Sequence, residues 1–185
     1  MKCNFFKLIM KLNGVNYGKN VNLFGIPVIF KKRGSELTMG KNCTIKSSFL
    51  ANLVGLYQRT IIVTRTKEAN INIGNNVGIS GATIYARKGI TIGDNTLIGG
   101  NVKILDNDFH PLDVEDRNSD IKEKIRTKEI IIGKNCFIGC NSIILKGTEI
   151  GEGSVVGAGS VVIGKFPSYS VIAGNPAKVI KTLEE

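Results

Sequence analysis

The sequence predicts an all-β protein folded as a parallel β-helix of six-residue repeats, with short helices at its N- and C-terminal ends. Three observations point to this fold. Aliphatic residues recur every six positions, glycine or another small residue follows many of them, and residues 71–105 lack the amphipathic helices that an α/β fold would place between strands. We expect three hexads to make one coil of the solenoid. The clearest aliphatic run comprises Ile132, Ile138, Ile144, Ile150, Val156 and Val162.

Less regular copies carry the repeat toward the N-terminus. Residues 50–70 fit the hexad poorly, which predicts a loop or an irregular coil there. The pattern therefore places the β-helix over residues 15–174, followed by a tail or short helix over residues 175–185. The earlier copies lie at Ile73, Ile79 and Tyr85, then after a one-residue slip at Ile92, Ile98 and Ile104, with weaker ones at Tyr17, Leu23, Ile29, Met39 and Ile45.

An amphipathic helix is predicted over residues 1–14, because four apolar residues there have the i, i+3, i+4, i+7 spacing of one helix face. These are Phe5, Leu8, Ile9 and Leu12, with Lys7 and Lys11 opposite. The helix either caps the open end of the repeat stack or contacts an anionic membrane surface, which the seven basic and no acidic residues of positions 1–35 would favour. We favour the cap, because so short a helix offers a bilayer little apolar area.

The formal net charge of +10 predicts either an anionic ligand or surface, or a uniformly solvated set of lysines. Nucleic acid is not expected as a partner, because the chain has no recognition motif and no interleaving of basic and aromatic residues. No stretch approaches the ~20 apolar residues that span a bilayer. No signal peptide is expected either, since lysines interrupt the N-terminal apolar run.

The cysteines predict buried thiols in a cytoplasmic protein. No pair forms a C-x-x-C motif, and a single histidine leaves no set of zinc ligands, so no metal site is expected. Cys43 and Cys136 occupy positions of the repeat where a small inward-facing residue belongs. A disulfide framework is therefore less consistent with the sequence than a reducing compartment. The four cysteines are Cys3, Cys43, Cys136 and Cys140.

The repeat is interrupted next to the only histidine, His110. Ile104 and Ile132 lie 28 positions apart, which predicts a loop over residues 106–130 that leaves the β-helix. This loop contains eight of the chain's fifteen acidic residues. His110 is the side chain whose unperturbed pKa suits acid–base chemistry near neutral pH. Asp106 and Asp108 are the candidates to orient its ring.

The hexads, the histidine stretch and the ending Gly174-Asn175-Pro176-Ala177-Lys178-Val179-Ile180 together resemble the hexapeptide-repeat acyltransferases. The likeness is greatest to the sugar and capsular-polysaccharide O-acetyltransferases. The resemblance implies that the β-helix is left-handed, against the general rule for parallel crossovers. It also implies a homotrimer with active sites between subunits, acetyl-CoA as the acetyl donor, and a sugar or glycan precursor as the acceptor.

The resemblance gives His110 the role of general base, which takes the proton of an acceptor hydroxyl as that oxygen attacks the thioester. Backbone N–H groups would then stabilise the charge that develops on the thioester oxygen. The small residues Gly139, Cys140, Ala158 and Gly159 match the turns along which relatives place the pantetheine arm. Cys140 is not expected to carry the acyl group, since relatives that act through histidine have small polar residues there.

Three lysines are candidates to bind the phosphates of coenzyme A. Lys178 and Lys181 match basic positions after the final proline of the family. Lys165 departs from the pattern of the family. Relatives often have Thr-Lys at the positions of Ile163 and Gly164, so their lysine lies one residue earlier than Lys165.

The acceptor site also departs from one branch of the family. Galactoside-type enzymes place an acceptor-binding asparagine at the position of Gly81, so the glycine argues against that substrate. Ser80 and Tyr85 are the candidates to contact the acceptor instead. The residues themselves leave two other functions open, which are N-acylation of an amino-sugar and a non-catalytic β-helix scaffold. The γ-type carbonic anhydrases share the β-helix but bind zinc through three histidines. They are excluded, because the single histidine of each chain cannot supply that set even at a trimer interface.

Overall fold

The computed structural model of the chain describes residues 4–184. In this part of the chain there are two α-helices, α1 (Asn4–Leu12) and α2 (Val114–Asn118), and 3₁₀ turns at Phe49–Ala51 and Lys122–Lys124. The strands are β1 (Asn16–Tyr17), β2 (Asn22–Phe24), β3 (Val28–Lys31), β4 (Glu36–Met39), β5 (Thr44–Lys46), β6 (Ile61–Thr64), β7 (Asn70–Ile73), β8 (Gly78–Ser80), β9 (Thr83–Ala86), β10 (Gly89–Ile92), β11 (Leu97–Ile98), β12 (Lys103–Leu105), β13 (Ile130–Ile132), β14 (Phe137–Ile138), β15 (Ile143–Leu145), β16 (Glu149–Ile150), β17 (Val155–Val156), β18 (Val161–Val162), β19 (Lys165–Phe166), β20 (Ser170–Gly174) and β21 (Ala177–Thr182).

Every third strand pairs with its counterpart one coil away, so the strands form three sheets. Sheet one has the order β1-β4-β7-β10-β13-β16-β19, sheet two β2-β5-β8-β11-β14-β17-β20-β21, and sheet three β3-β6-β9-β12-β15-β18. The pairings are parallel except that of β20 with β21. This is the triangular stack of a parallel β-helix, consistent with the left-handed coil that the resemblance implies.

The predicted aliphatic positions form the core. Ile132 pairs in register with Ile92 and Ile150, and Ile138 pairs with Ile98, so like residues stack from coil to coil. The exposed fractions of the six residues in the clearest run are 2% or less. The predicted run is wrong at one position: Ile84, and not Tyr85, points into the core with 0% exposure.

An asparagine ladder forms the turn between sheet one and sheet two. Each of its members has φ between 57° and 59°, in the left-handed region that asparagine tolerates better than most residues. The side-chain amide of each of the first four members donates to the side-chain carbonyl oxygen of the next asparagine, at 2.8–3.1 Å. The ladder therefore ties successive coils together at this corner. It runs through Asn20, Asn42, Asn76, Asn95 and Asn135.

Helix α1 caps the N-terminal end of the core, but it presents a different face from the one predicted. Met10 is 1% exposed and belongs to the core, whereas Phe5, Leu8 and Leu12 are 75%, 54% and 78% exposed. The N–H of Val15 donates to the carbonyl of Met10 and so turns the helix toward the first coil. Residues 1–3 of the predicted helix, Cys3 among them, lie outside the described residues.

One predicted element is wrong, and a second is correct over only part of its range. The expected C-terminal helix is strand β21, which folds back antiparallel on β20 after Gly174, whose φ is +110°. An antiparallel partner satisfies the N–H and C=O groups that β20 would otherwise leave open at the end of the sheet. The prediction of a loop or irregular coil over residues 50–70 is correct for residues 50–60, but the range also contains a regular strand, β6, whose Ile62 is fully buried.

Candidate active site

The chain leaves the β-helix at the corner between sheet three and sheet one and forms a loop over residues 106–129, which we call the histidine loop. An antiparallel bridge between Asn107 and Thr127 closes its base. Across the same base the N–H of Asp108 donates to the carbonyl of Arg126 at 3.1 Å. Beyond this closure α2 and the second 3₁₀ turn fold the rest of the loop. The residues that surround His110 are therefore held at a fixed place on the β-helix.

Asp106 anchors this loop and does not contact His110. Its carboxylate is fully buried, and it accepts four hydrogen bonds, which fill the acceptor sites of both oxygens. Burial raises the pKa of Asp106, and the hydrogen bonds oppose that shift. Because no acceptor site remains for an imidazole, the prediction that Asp106 orients His110 is not supported. The four donors are the N–H groups of Arg87, Lys88 and Gly89 and the side-chain amide of Asn107, at 2.7–3.1 Å.

His110 follows a strained turn that presents it to solvent. Phe109 has φ of 62°, which is uncommon for a bulky residue, and the N–H of His110 donates to the carbonyl of Asp108 at 2.7 Å. The Phe109 ring packs against Tyr85, with 4.9 Å between the ring centroids. Strained backbone of this kind costs about 1–3 kcal/mol and occurs preferentially at functional sites. The structure thus brings Tyr85 and His110 to the same corner.

Asp108 is the aspartate with a free acceptor. Its Oδ1 forms an ion pair with Lys146 Nζ at 2.5 Å, and both side chains are largely buried, with 16% and 26% exposed. Its Oδ2 is buried and has no hydrogen-bond partner among residues 4–184. Lys146 follows β15, which lies directly beside β12, and sequence reasoning missed it. The available signal was that Lys146 directly follows β15, because β15 pairs with β12 and β12 ends where the histidine loop begins.

The small residues predicted to bind the donor lie at a different corner, between sheet two and sheet three. Gly139 sits so close to the next coil that a Cβ there would lie 2.6 Å from the backbone nitrogen of Ala158. The N–H of Gly159 donates to the carbonyl of Cys140 at 2.9 Å. Cys140 is half-buried, and Ala158 and Gly159 are exposed. We call this corner the small-residue ridge, which comprises residues 80–81, 99–101, 139–141 and 157–160.

The ridge presents backbone N–H groups that have no partner. Within the part of the chain that the structure describes, the N–H groups of Cys140 and Ala158 make no hydrogen bond. Such groups need an acceptor when water is excluded from around them. These two N–H groups are therefore the candidates on the ridge to donate to an oxygen of a ligand.

A loop over residues 48–60, which we call the ridge loop, covers the first coils of the ridge. Ser80 accepts a hydrogen bond from the amide of Asn52 at 3.1 Å. Asn101 accepts from the N–H of Tyr57 at 3.2 Å and donates to the carbonyl of Gly55 at 2.9 Å. These bonds hold the ridge loop on the ridge at three points.

The ridge loop also explains the glycine at position 81. Gly81 has φ of 55°, and a Cβ there would lie 3.0 Å from the carbonyl oxygen of Gln58 and 3.1 Å from Leu56 Cδ2. The space that a side chain would need is filled by the ridge loop. Beside the loop, a groove of about 380 Å³ runs over sheet two, and Ser80, Leu97 and Phe137 are among the residues that line it.

The three candidate phosphate-binding lysines are not all near the ridge. Lys178 pairs across β20 and β21 with Ala173. Ala173 in turn lies against ridge residue Gly157, where an added Cβ would be 3.1 Å from the Ala173 Cβ. Lys178 is therefore at the edge of the ridge. Lys181 is exposed further along the same strand, β21. Lys165 lies in sheet one and forms an ion pair with Glu149 at 2.7 Å, at another corner of the β-helix.

Ridge and histidine loop lie at opposite ends of sheet three. Ser80 and Gly81 precede strand β9, whereas Tyr85 lies toward its far end; strand β12 likewise begins beside the ridge and ends at the histidine loop. One copy of the chain therefore does not bring the predicted donor-binding residues and His110 together.

Among residues 4–184, no group of three or more His, Cys, Asp or Glu side chains lies close enough together to hold a metal ion. Neither of the described helices is both long and apolar enough to cross a bilayer.

Comparisons with known proteins agree with the repeat and the fold. The family model of the hexapeptide repeat of succinyl-transferase matches residues 89–104 and 129–163. No curated protein matches the chain by sequence. Among solved structures, the polySia-specific acetyltransferase NeuO is 27% identical with a TM-score of 0.67, over 91% of this chain and 75% of its own.

Two other solved structures are similar. A galactoside acetyltransferase in complex with coenzyme A is 26% identical with a TM-score of 0.58, over 97% of this chain and 70% of its own. A mutant of AntD, an N-acyltransferase from Bacillus cereus in complex with dTDP and coenzyme A, is 24% identical with a TM-score of 0.73, over 96% of this chain and 89% of its own. The resemblance to the hexapeptide-repeat acyltransferases is confirmed, while AntD, at this identity, bears on the fold alone.

Proposed function

We propose that the chain transfers an acetyl group from acetyl-CoA to a hydroxyl of a sugar, in a polysaccharide or glycan precursor, with His110 as the general base. The observation that carries the proposal is the placement of His110. It is exposed, it follows a strained turn, and a folded loop holds it beside an aspartate with a free buried oxygen. A histidine without a catalytic role would need none of these features.

His110 acts by accepting a proton. A neutral imidazole takes the hydroxyl proton of the acceptor as the hydroxyl oxygen attacks, and it later returns that proton to the departing thiol. Asp108 is the candidate to orient the ring. Its carboxylate makes no hydrogen bond to the imidazole in this structure, but Oδ2 is free to accept one from an imidazole N–H while Lys146 binds the other oxygen. Tyr85, which packs against Phe109, forms one wall of the acceptor site.

The ridge fits the donor. Acetyl-CoA supplies an activated acetyl thioester, and the coenzyme A bound to the galactoside acetyltransferase supports this donor. The free N–H groups of Cys140 and Ala158 are the donors for negative charge on the thioester oxygen. Lys178 and Lys181 are the cations for the phosphates, since Lys178 lies at the edge of the ridge and Lys181 lies exposed further along the same strand, β21. Lys165 takes no part in binding the phosphates, because it lies in sheet one, away from the ridge, and forms an ion pair with Glu149.

The site is complete only between two copies of the chain. His110 and the ridge lie at opposite ends of sheet three, so the ridge of one subunit would have to meet the histidine loop of its neighbour. The outer face of sheet three between these ends is partly apolar, with Ile143 and Leu145 half-buried, although Lys103 and Thr83 also lie on it. On the outer face of sheet one, Asn72 and Thr91 are exposed polar residues. We infer a homotrimer that packs through sheet three.

The acceptor is not a simple galactoside. The ridge loop fills the space that an asparagine at position 81 would need, so the galactoside-type contact is not available. The likeness to an acetyltransferase specific for polySia supports a glycan acceptor. Ser80 lies under the ridge loop and accepts from Asn52, so it supports this loop more directly than it contacts a sugar.

A coenzyme A release assay tests the function. Wild-type protein and His110→Ala are compared on a panel of glycans, with hydroxyl and amine acceptors side by side. We expect release with hydroxyl acceptors, and a fall in kcat of about 10²–10⁴-fold in His110→Ala, the usual contribution of a general base. Ser119→Ala, an exposed change in the same loop, serves as the matched control and is expected to keep full activity.

The same assay separates the alternatives. Release with amine acceptors alone would assign N-acylation in place of O-acetylation. Turnover that survives in His110→Ala would exclude histidine base catalysis, and absence of release with every acceptor would favour the scaffold role.

A further inference from the structure

A lysine on sheet three is held at the ridge by neutral groups alone. Lys103 begins β12, on the outer face of the sheet. Its Nζ donates to Gln58 Oε1 and to Thr83 Oγ1 (3.2 Å), and it lies 5.8 Å from the centroid of the Tyr57 ring. An ammonium group has three N–H donors, so one donor is left for a ligand.

Lys103 has no counterion among the described residues. It takes part in none of the ion pairs that these residues form, whereas the comparably buried Lys146 is paired with Asp108. Burial lowers the pKa of Lys103, as expected for a cation that loses water and gains no anion. A carboxylate or phosphate that reached Nζ would supply the missing charge.

The surroundings of Lys103 are fixed before any ligand arrives. The amide nitrogen of Gln58 donates to the carbonyl of Gly81 and to Thr83 Oγ1, both at 2.9 Å. Its oxygen is thereby turned toward Lys103. Tyr57 is 70% exposed, so one face of its ring remains open beside the cation. An exposed aromatic ring next to a fixed positive charge suits a sugar that carries an acidic group, because the ring packs against the apolar C–H face of the sugar.

The position of Lys103 favours the acceptor over the donor as the source of the anion. Lys103 pairs in register with Ile143, which lies two residues after ridge residues 139–141. It therefore lies close to the part of the ridge where the thioester is proposed to bind. The phosphates of coenzyme A are separated from its thioester by the pantetheine arm, so they would lie well away from this point.

We propose that Lys103 binds the carboxylate of an acidic sugar unit in the acceptor, with the Tyr57 ring against that sugar. This inference rests on the proposed transfer function and adds the substrate class, an acidic glycan. The charge of the chain agrees with it. Outside residues 106–130, 20 of the 25 basic but only 7 of the 15 acidic residues remain, so an anionic polymer meets a strongly basic β-helix.

The test compares Lys103→Met with Lys103→Arg and uses two acceptors. One is an oligosaccharide of sialic acid, and the other is the same oligosaccharide with its carboxylates converted to methyl amides. We expect wild-type protein to prefer the acid form. Lys103→Met should raise KM for the acid form about tenfold or more, as the loss of one charge-assisted hydrogen bond implies, and change KM for the amide form less than about twofold. Lys103→Arg should restore most of the preference.

The controls separate this proposal from the proposed function. If wild-type protein releases coenzyme A with neutral glycans but shows no preference for the acid form, the carboxylate site is wrong and the transferase function stands. If KM for acetyl-CoA rises in Lys103→Met while that for the acceptor does not, the lysine binds donor phosphate instead. Equal losses with both acceptors, together with a lower Tm, would assign Lys103 a purely structural role. Absence of release with every acceptor would refute the function itself.

Discussion

Replacement of Asp106 by asparagine should destabilise the protein and loosen the histidine loop. The carboxylate accepts two hydrogen bonds on each oxygen, all from buried or half-buried donors. An asparagine has one carbonyl oxygen, so its NH₂ group would face two N–H donors that then lose their acceptor. Each charge-assisted bond is worth about 1.5–3 kcal/mol. Relief from burying a charge offsets part of the loss, so the net decrease in the free energy of unfolding should be about 2–4 kcal/mol.

For a chain of this length, a change of 1 kcal/mol shifts Tm by about 2–4 °C, so Asp106→Asn should lower Tm by roughly 4–16 °C. Thermal unfolding followed by circular dichroism measures it, at one fixed protein concentration because an oligomer's Tm depends on concentration. Asp113→Asn is the matched control: Asp113 caps α2 at the surface, and asparagine caps helices equally well. If Asp106→Asn unfolds within about 2 °C of the wild type, the anchoring role is refuted.

Two further predictions concern the ridge and the thiols. Gly139→Ala should weaken acetyl-CoA binding and lower Tm, because the new Cβ would lie 2.6 Å from the Ala158 nitrogen, and backbone cannot move aside as a side chain can. Isothermal titration with coenzyme A measures the affinity. An unchanged affinity would contradict the ridge as the donor site. In a Cys3→Ser background, a thiol reagent should label Cys140 and spare Cys43 and Cys136 in the native protein, because burial raises the pKa of both of the latter thiols. Acetyl-CoA should protect Cys140 from labelling, as read by mass spectrometry, and labelling that continues at the same rate would argue against donor binding at that turn.

The core could be predicted from the sequence because the period of the repeat is also the period of burial. In a β-helix each hexad contributes one large inward aliphatic residue, so the aliphatic spacing alone places Ile132 and its successors in the core. The prediction failed where a turn is one residue shorter than the repeat, since Ile79 and Ile84 lie five positions apart and not six. Gly81, with its positive φ, lies in such a turn, and the inward position moves from Tyr85 to Ile84.

Contacts between distant parts of the chain could not be predicted in the same way. The partners of Asp106 and Asp108 are set by loop closure and by the neighbouring coil, and no local pattern specifies either. The α1 face failed for a similar reason. The spacing of its apolar residues was correct, but Met10 fills the open end of the core and so decides which side of the helix turns inward.

The places where the repeat lengthens are the places where the proposed site is built. Along the asparagine ladder, successive members are 22, 34, 19 and 40 positions apart, against 18 for three hexads. The two large excesses are the ridge loop and the histidine loop. The regular coils fix the distance between the two loops, and the acceptor contacts proposed on the coils depend on these loops: Gln58 of the ridge loop holds Lys103 of β12, and Phe109 of the histidine loop packs against Tyr85 of β9. A change of acceptor in a related chain should therefore be accompanied by changes in the ridge loop, whose Gln58 holds Lys103, before any change in the coils.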